Sequence, residues 1–254
     1  MMACRRAAVT LALLIVALSA NDARAQSATM RAYPFAVGEQ AVYRAGWGIF
    51  GSAGSGTLSL SADTIRGEPA LHAVLAIRGG IPGLRIEEQL ESWMDGRSLA
   101  ARRFLQRTRY PRFSRDRLRE FMATDRRWTG HTNGRPETGE LPTARPLDEL
   151  AFIFVARAAD LVVGEELSYN DYWKTDGNPV RIKVLRREVV KVPAGTFNTI
   201  VVQPIIKAGG LFAEKGEAEV YISEGPAREL VMLRAKLSIG TLVLQLERFT
   251  PGAP

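Results

Sequence analysis

The sequence predicts a mainly β protein: one antiparallel curved sheet of about a dozen strands, an open barrel or a β-sandwich, with a single buried helix at about residues 148–161. Three observations carry this. Short runs with period-two alternation recur from Glu39 to the end of the chain. Local turn signals, not helix-length segments, separate them, which favours hairpins over βαβ units. Only one stretch after the N-terminal leader has a convincing helical pattern.

The first runs are "EQAVYRAGWGIF" (39–50) and, past "GSAGSG", "TLSLSADTI" (57–65), in which Leu58, Leu60 and Ala62 share one face. "RGEP" turns the chain into "ALHAVLAIR" (70–78), largely apolar on both faces. "LRIEEQLESWM" (84–94) ends at the turn signal "DGRS". "LAARRFLQRTRY" (99–110) and "DRLREFMAT" (116–124) follow. Residues 129–146, rich in Gly, Pro and Thr, read as a loop with a small Asn133-Gly134 turn.

"LDELAFIFVARAADL" (147–161) is the helix, with Asp148 as its N-cap. It is apolar nearly all round, which predicts burial against the sheet. Strands then resume. In "PVRIKVLRREVVKV" (179–192), Val180, Ile182 and Val184 share a parity that continues into Arg186 and Glu188, so a bulge is expected. Pro193 and Gly195 close a hairpin between strands at 187–192 and 197–207. In the last strand Leu242, Leu244 and Leu246 face one way.

The N-terminus reads as an export signal covering residues 1–25. Arg5 and Arg6 precede an apolar run of 14 residues, 7–20, and Ala23-Arg24-Ala25 offers small residues at a cleavage site. The run is short of the roughly 20 residues a membrane span needs, so the reading is a single β-rich domain, 26–254, released to the periplasm or secreted and not membrane-spanning. Loss of Arg5, Arg6, Arg24 and Asp22 lowers the net charge from +7 to +5. The only cysteine, Cys4, leaves with the leader, so disulfides, thiolate catalysis and cysteine metal sites are excluded from the mature chain.

Four segments in order, "VGEQAVYRAGWGIFGSAGSGTLSL", "ELAFIFVARAADLVVGEEL", "REVVKVPAGTFNTIVVQP" and "EAEVYISEGPARELVMLRAKLSIGTLVLQL", resemble a family of exported bacterial proteins known by a domain-of-unknown-function label. The resemblance spans residues 33–249. Members usually carry Trp-x-Ser-Asp where this chain has "YISEGPAREL". The family implies an exported β-rich fold and brings no activity, cofactor or catalytic residue.

The residues themselves offer no catalytic signature: no G-x-S-x-G elbow, H-E-x-x-H helix or P-loop. Two histidines, His72 and His131, are too few for a His-rich zinc site, and no metal or cofactor is expected. Glu88 shares parity with Ile86 and Leu90, which reads as a register break or as an inward-pointing salt-bridge partner or, less simply, as the general acid of a glycan hydrolase with a second carboxylate such as Asp171. Arg103, Arg107, Arg109, Arg115, Arg117 and Arg119 would form a basic stripe if their two strands pair, a contact for an anionic envelope surface or protein partner in envelope assembly. A solvated sheet face is the plain alternative. Nucleic acid does not suit an exported chain without a stacking platform. Trp47, Ile81, Leu84, Leu211 and Phe212, on or beside glycine-flanked segments, would rim a cavity for a lipid or amphipathic small molecule, or else belong to hairpin loops whose apolar residues tuck back on the barrel end. The leading expectation is therefore a non-enzymatic envelope protein binding an apolar or amphipathic ligand in the concavity of its sheet.

Overall fold

A computed structural model of the protein describes residues 33–47, 52–81, 84–207, 218–237 and 240–253. Along the chain the first half forms β1 (Gln40–Trp47), β2 (Ser52–Ile65), β3 (Glu68–Ile81), β4 (Leu84–Met94), β5 (Ala101–Tyr110), β6 (Phe113–Met122), β7 (Arg127–Thr132) and β8 (Arg135–Glu140). The helix α1 (Glu149–Ala158) follows. The second half forms β9 (Glu166–Tyr169), β10 (Val180–Val192), β11 (Gly195–Ile205), β12 (Ala218–Ser223), β13 (Leu230–Leu237) and β14 (Gly240–Thr250).

All fourteen strands join one sheet in the order β8-β7-β6-β5-β4-β3-β2-β1-β14-β13-β12-β11-β10-β9. Every pairing but one links neighbours in sequence. The exception is β1 with β14, from Gln40↔Thr250 to Trp47↔Leu242, which seats the first and last strands side by side in the middle. The sheet is not closed, for β8 and β9 are its edges. It is thus the open-barrel alternative of the expected fold, with no second sheet among the described residues.

Alternation explains the curvature. Leu71, Ala73, Leu75 and Ile77 of β3, Ile86 and Leu90 of β4, and Leu242, Leu244 and Leu246 of β14 are all buried on the inner face. The helix lies on that face, burying Leu150, Phe152, Ile153 and Phe154. Asp148 caps it as the sequence predicts, its Oδ1 accepting from the amides of Leu150 (2.9 Å) and Ala151 (2.8 Å). The helix stops at Ala158, three residues before the expected end. Ala159 turns to extended backbone, and Leu161 buries itself beyond the helix.

Residues 129–146 are not a simple loop, since β7 and β8 lie there as a hairpin. "RWTGHT" and "RPETGE" lack apolar alternation because they sit at the sheet edge, where backbone pairing, not side-chain burial, holds them. The turn signal inside them is real: Asn133 and Gly134 take φ of 50° and 75°, the conformation of a tight hairpin turn. The β10 bulge is present, the register shifting between Val184 and Arg186. Gly195 (φ 138°) ends the Pro193-Ala194 turn, and Ala194 N–H donates to Leu246 O of β14 at 2.9 Å.

The two ends of the barrel differ. The last residues of β1, β3, β5, β11 and β13 and the first residues of β2, β4, β6, β12 and β14 lie at one end, the loop end. At the opposite end Arg157, near the C-terminus of α1, meets Glu39 through both carboxylate oxygens. Arg157 also donates to Ala227 O (3.0 Å) and Arg228 O (2.9 Å) and lies over the rings of Phe35 and Phe154. That end is sealed. The segments after the two edge strands meet through backbone hydrogen bonds and packing: Leu147 and Tyr172 form a parallel bridge, Leu147 N–H donating to Asp171 O (2.6 Å) and Trp173 N–H to Leu147 O (3.2 Å), and Trp173 packs on Trp128 (5.3 Å) and Phe121 (5.9 Å).

Candidate functional site

Strand register sorts the six arginines into two groups. Arg103 lies opposite Glu120, Arg107 opposite Asp116 and Arg109 opposite Ser114. Thr108 faces Arg115, Gln106 faces Arg117 and Phe104 faces Arg119. Directly opposed residues share a face, and Phe104, Thr108 and Arg119 are buried. Arg103, Arg107 and Arg109 therefore point outward, whereas Arg115, Arg117 and Arg119 line the inside. The single basic stripe does not form, because pairing through the Arg112 turn puts residues of unequal parity on one face.

The outer group is largely neutralised. Glu120 takes Arg103 and Arg66, and Asp116 takes Arg109 (2.7 and 2.8 Å). Arg103 also covers the ring of Trp93, on which His72 stacks at 4.1 Å. His72 Nε2 lies 3.0 Å from Glu91 Oε2. These contacts fasten the outer face. Among the described residues no three His, Asp or Glu side chains converge as metal ligands.

The inner group is graded. Arg119, 2% exposed, donates to Leu118 O (2.7 Å), His131 O (2.8 Å), Thr132 Oγ1 (2.9 Å) and the Glu137 carboxylate. Its guanidinium lies 4.8 Å from the Trp128 ring centre and 5.5 Å from that of Trp173. A glycine at 139 makes this shelf possible: a Cβ there would stand 2.6 Å from the Trp128 indole. Arg115 lies over the ring of Phe113 at 4.9 Å. Arg117 makes no ion pair or hydrogen bond among the described residues, and its Nε is buried without a partner. Burial lowers the pKa of both Arg115 and Arg119.

Carboxylates stand near but are otherwise engaged. Glu88 points inward as its parity predicts, on the row of Ile77 and Thr108. Gln106 Nε2 (2.9 Å) and Thr108 Oγ1 (3.1 Å) donate to its Oε1, and the Tyr110 hydroxyl (3.3 Å) to its Oε2. Burial pushes its pKa up. At the start of α1, Glu149 Oε1 accepts from the Tyr172 hydroxyl (2.9 Å), while Oε2 is buried without a partner. Asp148, fully buried, accepts from Ser92 Oγ at 2.6 Å, and burial pushes its pKa up to about 7. Asp171, the second carboxylate of the hydrolase alternative, is held by Thr143 Oγ1 (2.6 Å) in the stretch after β9.

Toward the loop end the polar rows give way to a small, mostly apolar cleft lined by Ala45, Ile77, Ile86 and Leu242, the glycine backbone at 46, 79 and 80, and Arg78. Trp47, Ile81 and Leu84 are the terminal residues of β1, β3 and β4 there. Leu211 and Phe212 lie outside the described residues. The interior arginines were missed as a group by sequence reading. Part of the signal was present: Arg115, Arg117 and Arg119 share a parity with Phe121, which is buried, while Phe113 at the start of the strand is exposed.

No curated protein matches this chain. Among solved structures, a β-barrel-like protein of the domain of unknown function DUF1849 from Brucella abortus is similar with a TM-score of 0.51 at 8% identity, over 86% of this chain and 99% of that one. At that identity the likeness is one of fold alone. A Bacteroides fragilis protein with a YmcC-like fold aligns over 86% of this chain and 98% of its own, with a TM-score of 0.31 and 11% identity. The family model described as "Protein of unknown function (DUF3108)" matches residues 42–247, and the chain belongs to that family.

Proposed function

We propose that this is an exported, non-enzymatic protein of the cell envelope that binds an apolar or amphipathic ligand in the concavity of its sheet, entering from the loop end. The observation that carries the reading is the asymmetry of the barrel. One end is sealed by α1, Phe35 and the Arg157–Glu39 pair. The other places an apolar, glycine-backed cleft beneath the ends of the strands that carry Trp47, Ile81 and Leu84. Clefts lined by apolar groups with a few polar groups at their base are where small ligands bind. The leader-like N-terminus supports export. Among the described residues no helix is long and apolar enough to cross a membrane.

Native mass spectrometry of the protein purified without denaturant tests this. The expected result is a bound mass that extraction removes and an added amphiphile displaces. A protein that carries no ligand and takes up none would overturn the reading.

A second reading, contact with an anionic envelope surface, rests on Arg107, which is exposed and makes no ion pair among the described residues. Reversing its charge together with Arg109 should abolish sedimentation with anionic vesicles; unchanged sedimentation removes this reading.

A further inference from the structure

We propose that the ligand is an anionic amphiphile bound head inward, its carboxylate or phosphate group on Arg117 with Arg115 beside it and its chain running toward the loop end; this rests on the proposed function and names its ligand class. Three observations lead there.

The first is layering. Moving toward the loop end, the inner face of β4, β5 and β6 presents Leu90, Gln106 and Arg117 in one row and Glu88, Thr108 and Arg115 in the next. Beyond them come Ile86 and the glycine at 79, paired across β3 and β4, which line the cleft. A ligand with one charged end and one apolar end matches that order.

The second is what each charge already holds. Arg119 is met by Glu137, Glu88 by three neutral donors, and Glu149 by the Tyr172 hydroxyl. No carboxylate pairs with Arg115 or Arg117 among the described residues.

The third is the cost of the arrangement. A buried guanidinium nitrogen without an acceptor, as at Arg117 Nε and also at Arg119 Nε, forfeits its hydration and gains nothing in return; Arg119 has Glu137 beside it, and Arg117 has no ion pair among the described residues. A carboxylate or phosphate supplies two oxygens in the geometry a guanidinium fork accepts, and such charge-assisted pairs are the strong ones. A neutral ligand would leave that cation unmatched.

Calorimetric titration of the folded protein with laurate, dodecyl phosphate, dodecyl maltoside and inorganic phosphate tests the assignment. Laurate and dodecyl phosphate should bind, and Arg117→Gln should weaken both by at least about tenfold, with Arg117→Lys in between because it keeps the charge and loses the fork. The outer-face control Arg107→Gln should bind as the wild type does. Thermal unfolding of each variant confirms that the fold is intact. Equal binding of dodecyl maltoside with no effect of Arg117→Gln overturns the head-inward assignment and leaves ligand binding standing. Inorganic phosphate binding as tightly as dodecyl phosphate overturns the amphiphile and leaves a free-anion site. No binding by any amphiphile removes both readings.

Discussion

Arg157 and Arg117 are both arginines inside the same barrel, and they have opposite surroundings. At the sealed end, Arg157 is 1% exposed and meets a carboxylate, two backbone carbonyls and two aromatic rings. Two rows below the cleft, Arg117 is partly buried, with a buried Nε and no ion pair or hydrogen bond among the described residues. A fully satisfied buried ion pair locks one arrangement, and losing half of it strands a charge. An unsatisfied one contributes nothing to folding that an apolar side chain would not. The contrast separates arginine used to hold the fold from arginine held ready for something else.

The comparison breaks first at the sealed end. Arg157→Leu leaves Glu39 buried and unpaired, and chemical denaturation should show a loss of about 3–5 kcal/mol. A loss below 1 kcal/mol would mean that the sealed end does not anchor the barrel.

Asp148 sharpens the picture through pH. Its carboxyl titrates near 3.8 in the unfolded chain and near 7 in the fold. The folded state therefore binds the extra proton between those values. The stability this contributes is complete below about pH 4 and is lost as pH rises through 7, by about 4 kcal/mol at 1.4 kcal/mol per pKa unit. Asn at 148 keeps an acceptor for the cap without the charge. The stability of Asp148→Asn relative to the wild type should rise between pH 5 and pH 8, as read by urea unfolding at each pH. A difference that does not change with pH would contradict the buried-acid assignment.

Much of the fold was legible in the sequence. Leu242, Leu244 and Leu246 alternate cleanly because one face of β14 is buried, and Asp148 precedes an all-apolar run that has to be covered. The β10 bulge was readable from the break in parity after Val184. The β7–β8 hairpin was hidden because an edge pair carries no burial pattern. The β1–β14 pairing, which defines the sheet order, joins residues some 200 apart and leaves no local trace. The site was half legible. Glu88 was placed inward from its parity with Ile86 and Leu90. The arginines of β6 were grouped with those of β5 because charge suggests a surface, and only the register of Thr108 with Arg115 shows the inward face.

The smallest expected effect is the most telling. Urea unfolding of Arg117→Leu in ligand-free protein tests directly whether this arginine is spare. A partly buried guanidinium without an ion pair, replaced by an apolar side chain, should leave stability within about 1 kcal/mol of wild type or raise it. A loss of about 3 kcal/mol, the size expected when a paired buried arginine is removed, would contradict the account.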